Sequence, residues 1–184
     1  MLTRYITLLR GVNVGGKNKV IMSELKKYLE ELGFSNVSTY IASGNVILDS
    51  EKDPEEIKFL IETVLPEKFK LDGEFIKVLV LSRDQIQAIM DNKPEDFGEQ
   101  PDTYHSDAIF LIEKSVDQVI KVFNPREGVD KIWPGNGVIY SQRLSALRTK
   151  SRLNKAIGTP EYKFMTIRSW NTVTKIMEMM KEES

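Results

Sequence analysis

Apolar positions along the chain fall into short runs broken by glycine, proline and charge, and the runs alternate between two periods. YITLLR (5–10) is β-branched and aromatic and predicts a strand. In SELKKYLEEL, Leu25, Tyr28, Leu29 and Leu32 recur at helical spacing behind Ser23, an N-cap residue type, and Gly33 supplies a left-handed stop. NVSTYI (36–41) and NVILDS (45–50) read as strands around Ala42-Ser43-Gly44, a hairpin signal. Asp53-Pro54-Glu55-Glu56 opens a helix to about Phe69, with Pro54 in the first turn. FIKVLVL (75–81) is a strand and RDQIQAIMDN (83–92) a helix.

The pattern then repeats. SDAIFLI (106–112) predicts a strand and VDQVIKVF (116–123) a helix. GVDKIW (128–133) and GVIYSQ (137–142) predict strands, SRLNKAI (151–157) a helix, FMTIR (164–168) a strand and WNTVTKIMEMMK (170–181) a closing helix. Both halves end by passing from an apolar strand through an Arg-containing turn into an amphipathic helix. The order β-α-β-β-α-β, met twice, predicts an α+β protein of two ferredoxin-like α/β-plait lobes related by duplication, with antiparallel sheets. Residues 1–92 form the first lobe with a trailing helix and 105–184 the second with a C-terminal helix. Residues 93–104, KPEDFGEQPDTY, are acidic, Pro-containing and poor in apolar residues, and are expected to be an exposed, mobile linker. The plait implies strand order 4-1-3-2. That order brings the loop after the first strand to the same sheet edge as the turn at Ser43-Gly44-Asn45.

That loop is RGVNVGGKNK (10–19). Gly11, Gly16 and Lys17 fit G-x-x-x-x-G-K, but Asn18 stands where a P-loop needs Ser or Thr for Mg²⁺, and the next strands form a hairpin. Topology therefore argues against an NTPase. What is left is a donor-rich loop. Gly15 and Gly16 can expose successive N–H groups, and Arg10 and Lys17 match phosphate or carboxylate. Arg10, Asn13, Gly15, Gly16, Lys17, Ser43, Gly44 and Asn45 are the candidate anion-binding set. The plainer reading is that the glycines only turn the chain.

Composition removes several classes. The chain has 184 residues, 41% hydrophobic and 29% charged, with a formal net charge of −1, so global charge announces neither nucleic acid nor membrane. Cysteine is absent, which excludes disulfides and thiolate chemistry. The first apolar run is too short for a signal core or a membrane span. A cytoplasmic location follows as the expectation, with no membrane partner. Charge is nevertheless segregated. Arg143, Arg148, Lys150, Arg152 and Lys155 occur with no acid among them, and residues 1–27 hold six bases against Glu24 alone. Acids gather in 51–74, 91–102 and the tail EMMKEES. Arg148, Lys150, Arg152, Lys155 and Arg168 are candidate polyanion contacts, against the alternative of solvated faces.

The segment LLRGVNVGGKNKVIMSELKKYLEELGFSNVSTYIASGNVIL resembles the opening of a widespread bacterial group, family 1697 of the domains of unknown function, and SRLNKAIG with TIRSWNTVTKI resembles its closing motif. The family reads Arg-Asn-Trp where this chain has Ser169 in the middle, and isoleucine where it has Val12. The resemblance implies paired ferredoxin-like lobes and supplies no activity.

Other chemistry is thin. An RNA-recognition module needs aromatics on its central strands. NVILD has none, and Phe110 and Tyr140 lack the surrounding signature. His105 reads as a surface histidine, with no second histidine to complete a metal site. Trp170 and Met177, Met179 and Met180 read as core packing. No metal, cofactor or catalytic residue is assigned. Three readings stay open: an anion-binding module, a nucleic-acid-binding protein using the basic segments, and a small metal-independent enzyme acting on a phosphorylated metabolite.

Overall fold

The computed structural model describes residues 1–73 and 75–181; Glu74 and the acidic end of the tail, 182–184, lie outside the described residues. The elements run β1 (Thr3–Leu9), α1 (Met22–Glu31), β2 (Ser35–Tyr40), β3 (Asn45–Ser50), α2 (Pro54–Lys68), β4 (Val78–Ser82) and α3 (Arg83–Asp91). They continue with β5 (Tyr104–Leu111), α4 (Val116–Val119), β6 (Asp130–Pro134), β7 (Val138–Leu144), β8 (Met165–Ser169) and α5 (Trp170–Lys181). Two four-stranded sheets have the orders β2-β3-β1-β4 and β6-β7-β5-β8. Every pairing is antiparallel. The duplicated plait and its 4-1-3-2 order are thus present in both halves.

The chain groups into two compact units, Met1–Ile86 with Ile176–Ser184, and Gln87–Lys175. In the first, the strand alternation sends Tyr5, Leu9, Val46, Leu48, Val78 and Val80 to one face, where they pack with Leu25 and Leu29 of α1 and Ile57, Ile61 and Leu65 of α2. Each such burial contributes about 1.5–3 kcal/mol. The helix start read at Asp53 is present and closed by a capping box: the Asp53 carboxylate accepts from Glu56 N at 2.9 Å, and Glu56 Oε2 accepts from Asp53 N at 3.3 Å. Gly33 ends α1 in the left-handed region, with Phe34 N bonded to Leu29 O and Gly33 N to Glu30 O, a Schellman stop. Ser23 does not cap α1. Ile21 holds that position without a side-chain bond, and the helix starts at Met22.

In the second unit the predicted helices shorten. Residues 116–123 are α-helical only over Val116–Val119 and then tighten to 3₁₀, and the predicted helix 151–157 is a chain of 3₁₀ turns, Ser145–Lys150, Leu153–Gly158 and Pro160–Phe164. Leu153 and Ala156 are the buried residues of the middle turn, and spacing of three suits a three-residue period, while Gly158 and Pro160 bar an α-helix from extending. These turns, with Val119 and Phe123, cover Ile109, Ile139 and Met165 of the sheet.

The segment 93–104 falls inside the second unit. It is not uniformly exposed as expected: Phe97 is 0% exposed, and its ring meets those of Trp133, Tyr140 and Trp170 edge-on. Trp170 is core, as read from sequence, and Phe110 and Tyr140 are buried too.

Arg4 and Asp49 face each other across β1 and β3 and pair at 2.8 Å, and a bulge in β2 turns Asn36 Nδ2 onto Asp49 Oδ2 at 2.8 Å. Burial pushes the Asp49 carboxyl up, but the bonds from Arg4 and Asn36 and the Arg4 charge prevail and hold it below the usual carboxylate value. A depressed carboxylate stabilises the fold above its unfolded value, and that stability is lost as pH falls through the folded one. Asp49→Asn should therefore cost about 2 kcal/mol at neutral pH. The difference from the parent should close below the usual carboxylate range, as checked by urea unfolding across pH.

Candidate functional site

The glycine loop is a small hairpin. Lys17 N donates to Val14 O and Asn13 N to Asn18 O, both at 3.0 Å. At its tip Gly15 and Gly16 have φ of 58° and 76°, the two positive values that a type I′ turn requires. Three side chains fix the hairpin to its surroundings. Asn13 Oδ1 accepts from Val20 N, while its Nδ2 donates to Val20 O at 2.9 Å and to Ala42 O at 2.8 Å. Asn18 exchanges bonds with Asp72, N to Oδ2 at 2.5 Å and Oδ1 from Asp72 N at 3.0 Å. Its Nδ2 also reaches Gly11 O at 3.2 Å.

The inferred meeting of this loop with the β2–β3 turn is therefore present: besides Asn13 and Ala42, Leu9 N donates to Gly44 O at 2.8 Å. Within the turn, Asn45 Nδ2 donates to Tyr40 O and Ser43 Oγ, each at 2.9 Å. The candidate set thus divides. The Asn13 and Asn45 amides bond the chain itself, Gly44 is buried, and Arg10 is half-buried with its N bonded to Lys77 O. Gly15, Gly16 and Lys17 face outward, joined by Lys19 and the exposed side chain of Val14. Sequence reasoning missed the Asn18–Asp72 clamp. Those residues lie 54 apart, and no local pattern links them.

The basic run is built on another carboxylate. Asp130 Oδ2 accepts from Arg126 N at 2.9 Å and Arg152 N at 2.8 Å, tying the loop before β6 to the 3₁₀ segment. Burial raises the Asp130 carboxyl, but these N–H groups, the Ser151 hydroxyl and the charge of Arg143 outweigh it and hold the value below the usual range. Arg148, Lys150 and Lys155 are exposed and Arg152 is half-buried. Arg168 does not belong with them. It is 6% exposed, donates to Thr166 Oγ1 at 2.9 Å and Ile167 O at 3.0 Å, and burial pushes its guanidinium down to about 10. Its strand position turns it inward, opposite Ala108.

His105 is exposed, and its Nε2 lies 3.0 Å from the Asp107 carboxylate. Burial raises the Asp107 carboxyl, against the opposing charges of His105 and Arg143. Among the described residues no group of three or more His, Asp or Glu is placed to hold a metal, and no helix is long and apolar enough to cross a membrane.

These features define a class, the duplicated antiparallel plait with a pinned hairpin after its first strand. The chain belongs to the family described as "Protein of unknown function (DUF1697)", which matches residues 2–140. The hairpin and the β2–β3 turn lie within that match, and the Arg168–Val173 motif lies beyond it. The solved structure of a conserved bacterial protein from Streptococcus pneumoniae is similar over 98% of this chain and 100% of that one, at 30% identity and a TM-score of 0.79. No curated protein matches.

Proposed function

We propose that this protein is a binding module for a small phosphate- or carboxylate-bearing ligand, taken up at the hairpin tip. Backbone N–H groups near Gly15 and Gly16 and the Lys17 ammonium face the anion, with Lys19 adding charge and Arg10 and Ser43 on the flank. One observation carries this reading. The hairpin's asparagines bond inward and fix its shape, while its lysines and tip glycines are left on the outside. A loop held in one conformation before binding pays less ordering entropy on association.

Lys17→Ala with Lys19→Ala should leave stability within about 0.5 kcal/mol, because both side chains are exposed. The pair should also abolish the rise in melting temperature that inorganic phosphate or a sugar phosphate gives the parent. A parent that no such anion stabilises, or a rise that survives in the double variant, refutes the proposal.

The exposed Arg148, Lys150 and Lys155 favour a second reading, contact with a nucleic-acid backbone. Oligonucleotide affinity would then fall steeply with salt and would not respond to the hairpin lysines.

A further inference from the structure

A cavity of about 50 Å³ lies between the second sheet and the 3₁₀ turns that cover it. Ile109 and Ile167 from the sheet and Leu153 from the cover give it apolar walls, and at one end Asp107, Ser141 and Arg143 line it. Strand register explains that end. Asp107 stands opposite Ser141, and His105 stands opposite Arg143. Residues two apart share a face, so Asp107 and Arg143 are diagonal neighbours of opposite charge.

They do not pair. The Asp107 carboxylate is turned to His105, and Arg143 Nε is buried with no hydrogen-bond partner. Asp130 Oδ1, on the neighbouring strand opposite Arg143, is likewise buried and unpartnered. A buried donor without an acceptor is costly, and such groups are normally satisfied by water or a ligand. The cavity is too small for a nucleotide or peptide and large enough for a few heavy atoms.

We propose that this cavity binds a short aliphatic carboxylic acid with a hydrogen-bond donor on its α-carbon, that is, an α-amino or α-hydroxy acid. The ligand carboxylate accepts from Arg143 Nε, the α-substituent donates to Asp107, and the α-carbon lies against Ile109, Ile167 and Leu153. The site is separate from the hairpin, and neither proposal depends on the other.

The test titrates the full chain with glycine, glycolate and acetate, followed by methyl NMR of Ile109 and Ile167 and by calorimetry. At least one of the two α-substituted acids should shift those methyls, and which one does so separates amine from hydroxyl. Acetate, which lacks the α-donor, should bind at least roughly tenfold more weakly, since it forfeits the bond to Asp107. Arg143→Gln should weaken all three. Asp107→Asn should bring the α-substituted acid down to the level of acetate while leaving acetate unchanged, a loss of selectivity that a folding defect would not mimic. Lys17→Ala with Lys19→Ala should change nothing here. The proposal is overturned if no probe shifts the two methyls at about 10 mM, a concentration that would populate even weak millimolar sites. It is equally overturned if acetate binds as well as glycine and glycolate, or if Arg143→Gln has no effect.

Discussion

Phe97→Ala should destabilise the second unit by about 3–5 kcal/mol, the range for removing a buried aromatic ring from a packed core. Phe97 is 0% exposed, and its centroid lies 5.9 Å from Trp133, 5.3 Å from Tyr140 and 5.1 Å from Trp170, all edge-on. Each such pair adds about 0.5–1.5 kcal/mol beyond the area it buries. The hole could not refill easily. Tyr140 is fixed by its hydroxyl, which donates to Ile89 O at 2.6 Å, and the Trp170 ring rests on the backbone of Gly98, where a Cβ would collide with it. Both tryptophans of the chain touch Phe97, so urea unfolding followed by their fluorescence reads the change directly. A loss below about 1 kcal/mol, typical of surface or average positions, would mean that the segment is not anchored by this ring.

Gly44→Ala should destabilise the first unit by about 2–4 kcal/mol, from left-handed strain and overpacking together. Gly44 has φ of 87°, and an added Cβ would sit 2.7 Å from Val12 Cγ2 and 2.8 Å from Leu9 Cβ. Both neighbours belong to the strand and loop that Gly44 meets, so neither can yield without disturbing the Leu9–Gly44 bond. Gly16→Ala is the informative contrast. It carries the same backbone strain at φ 76° but has open space around it, and it should cost less. Thermal unfolding of the two variants separates strain from contact, and equal losses would remove the packing argument.

Strand order and the meeting of the two loops were legible because they follow from local periodicity and one topological rule. The apolar runs in YITLLR and NVILDS, the helix start at Asp53-Pro54 and a stopping glycine at Gly33 are near-neighbour signals, and each acts as its residues suggest. What was not legible depends on partners distant in the chain. Asn13 and Asn18 look like exposed loop donors until Ala42, Asp72 and Gly11 are seen to occupy them. Arg168 looks like the end of a basic run until its register puts it opposite Ala108. Phe97 sits in a stretch whose composition is that of a linker, and a single aromatic has no periodicity to announce it. The cavity beside Arg143 was invisible for a related reason. The helix read from SRLNKAI would have packed continuously, whereas the 3₁₀ turns leave space beneath them.

Those turns give the second unit a roof made of shingles. An α-helix such as α2 opens cooperatively, because each residue it releases belongs to bonds shared with its neighbours. The cover here is instead three 3₁₀ segments of six, six and five residues, joined at their ends through Ser151 N to Arg148 O, Lys155 N to Arg152 O, Thr159 N to Ala156 O and Tyr162 N to Thr159 O. A segment of five or six residues shares fewer bonds with its neighbours than the fifteen-residue α2 does. The first sheet lies under whole helices, α1 and α2. The cavity over Ile109 is roofed by separate short pieces.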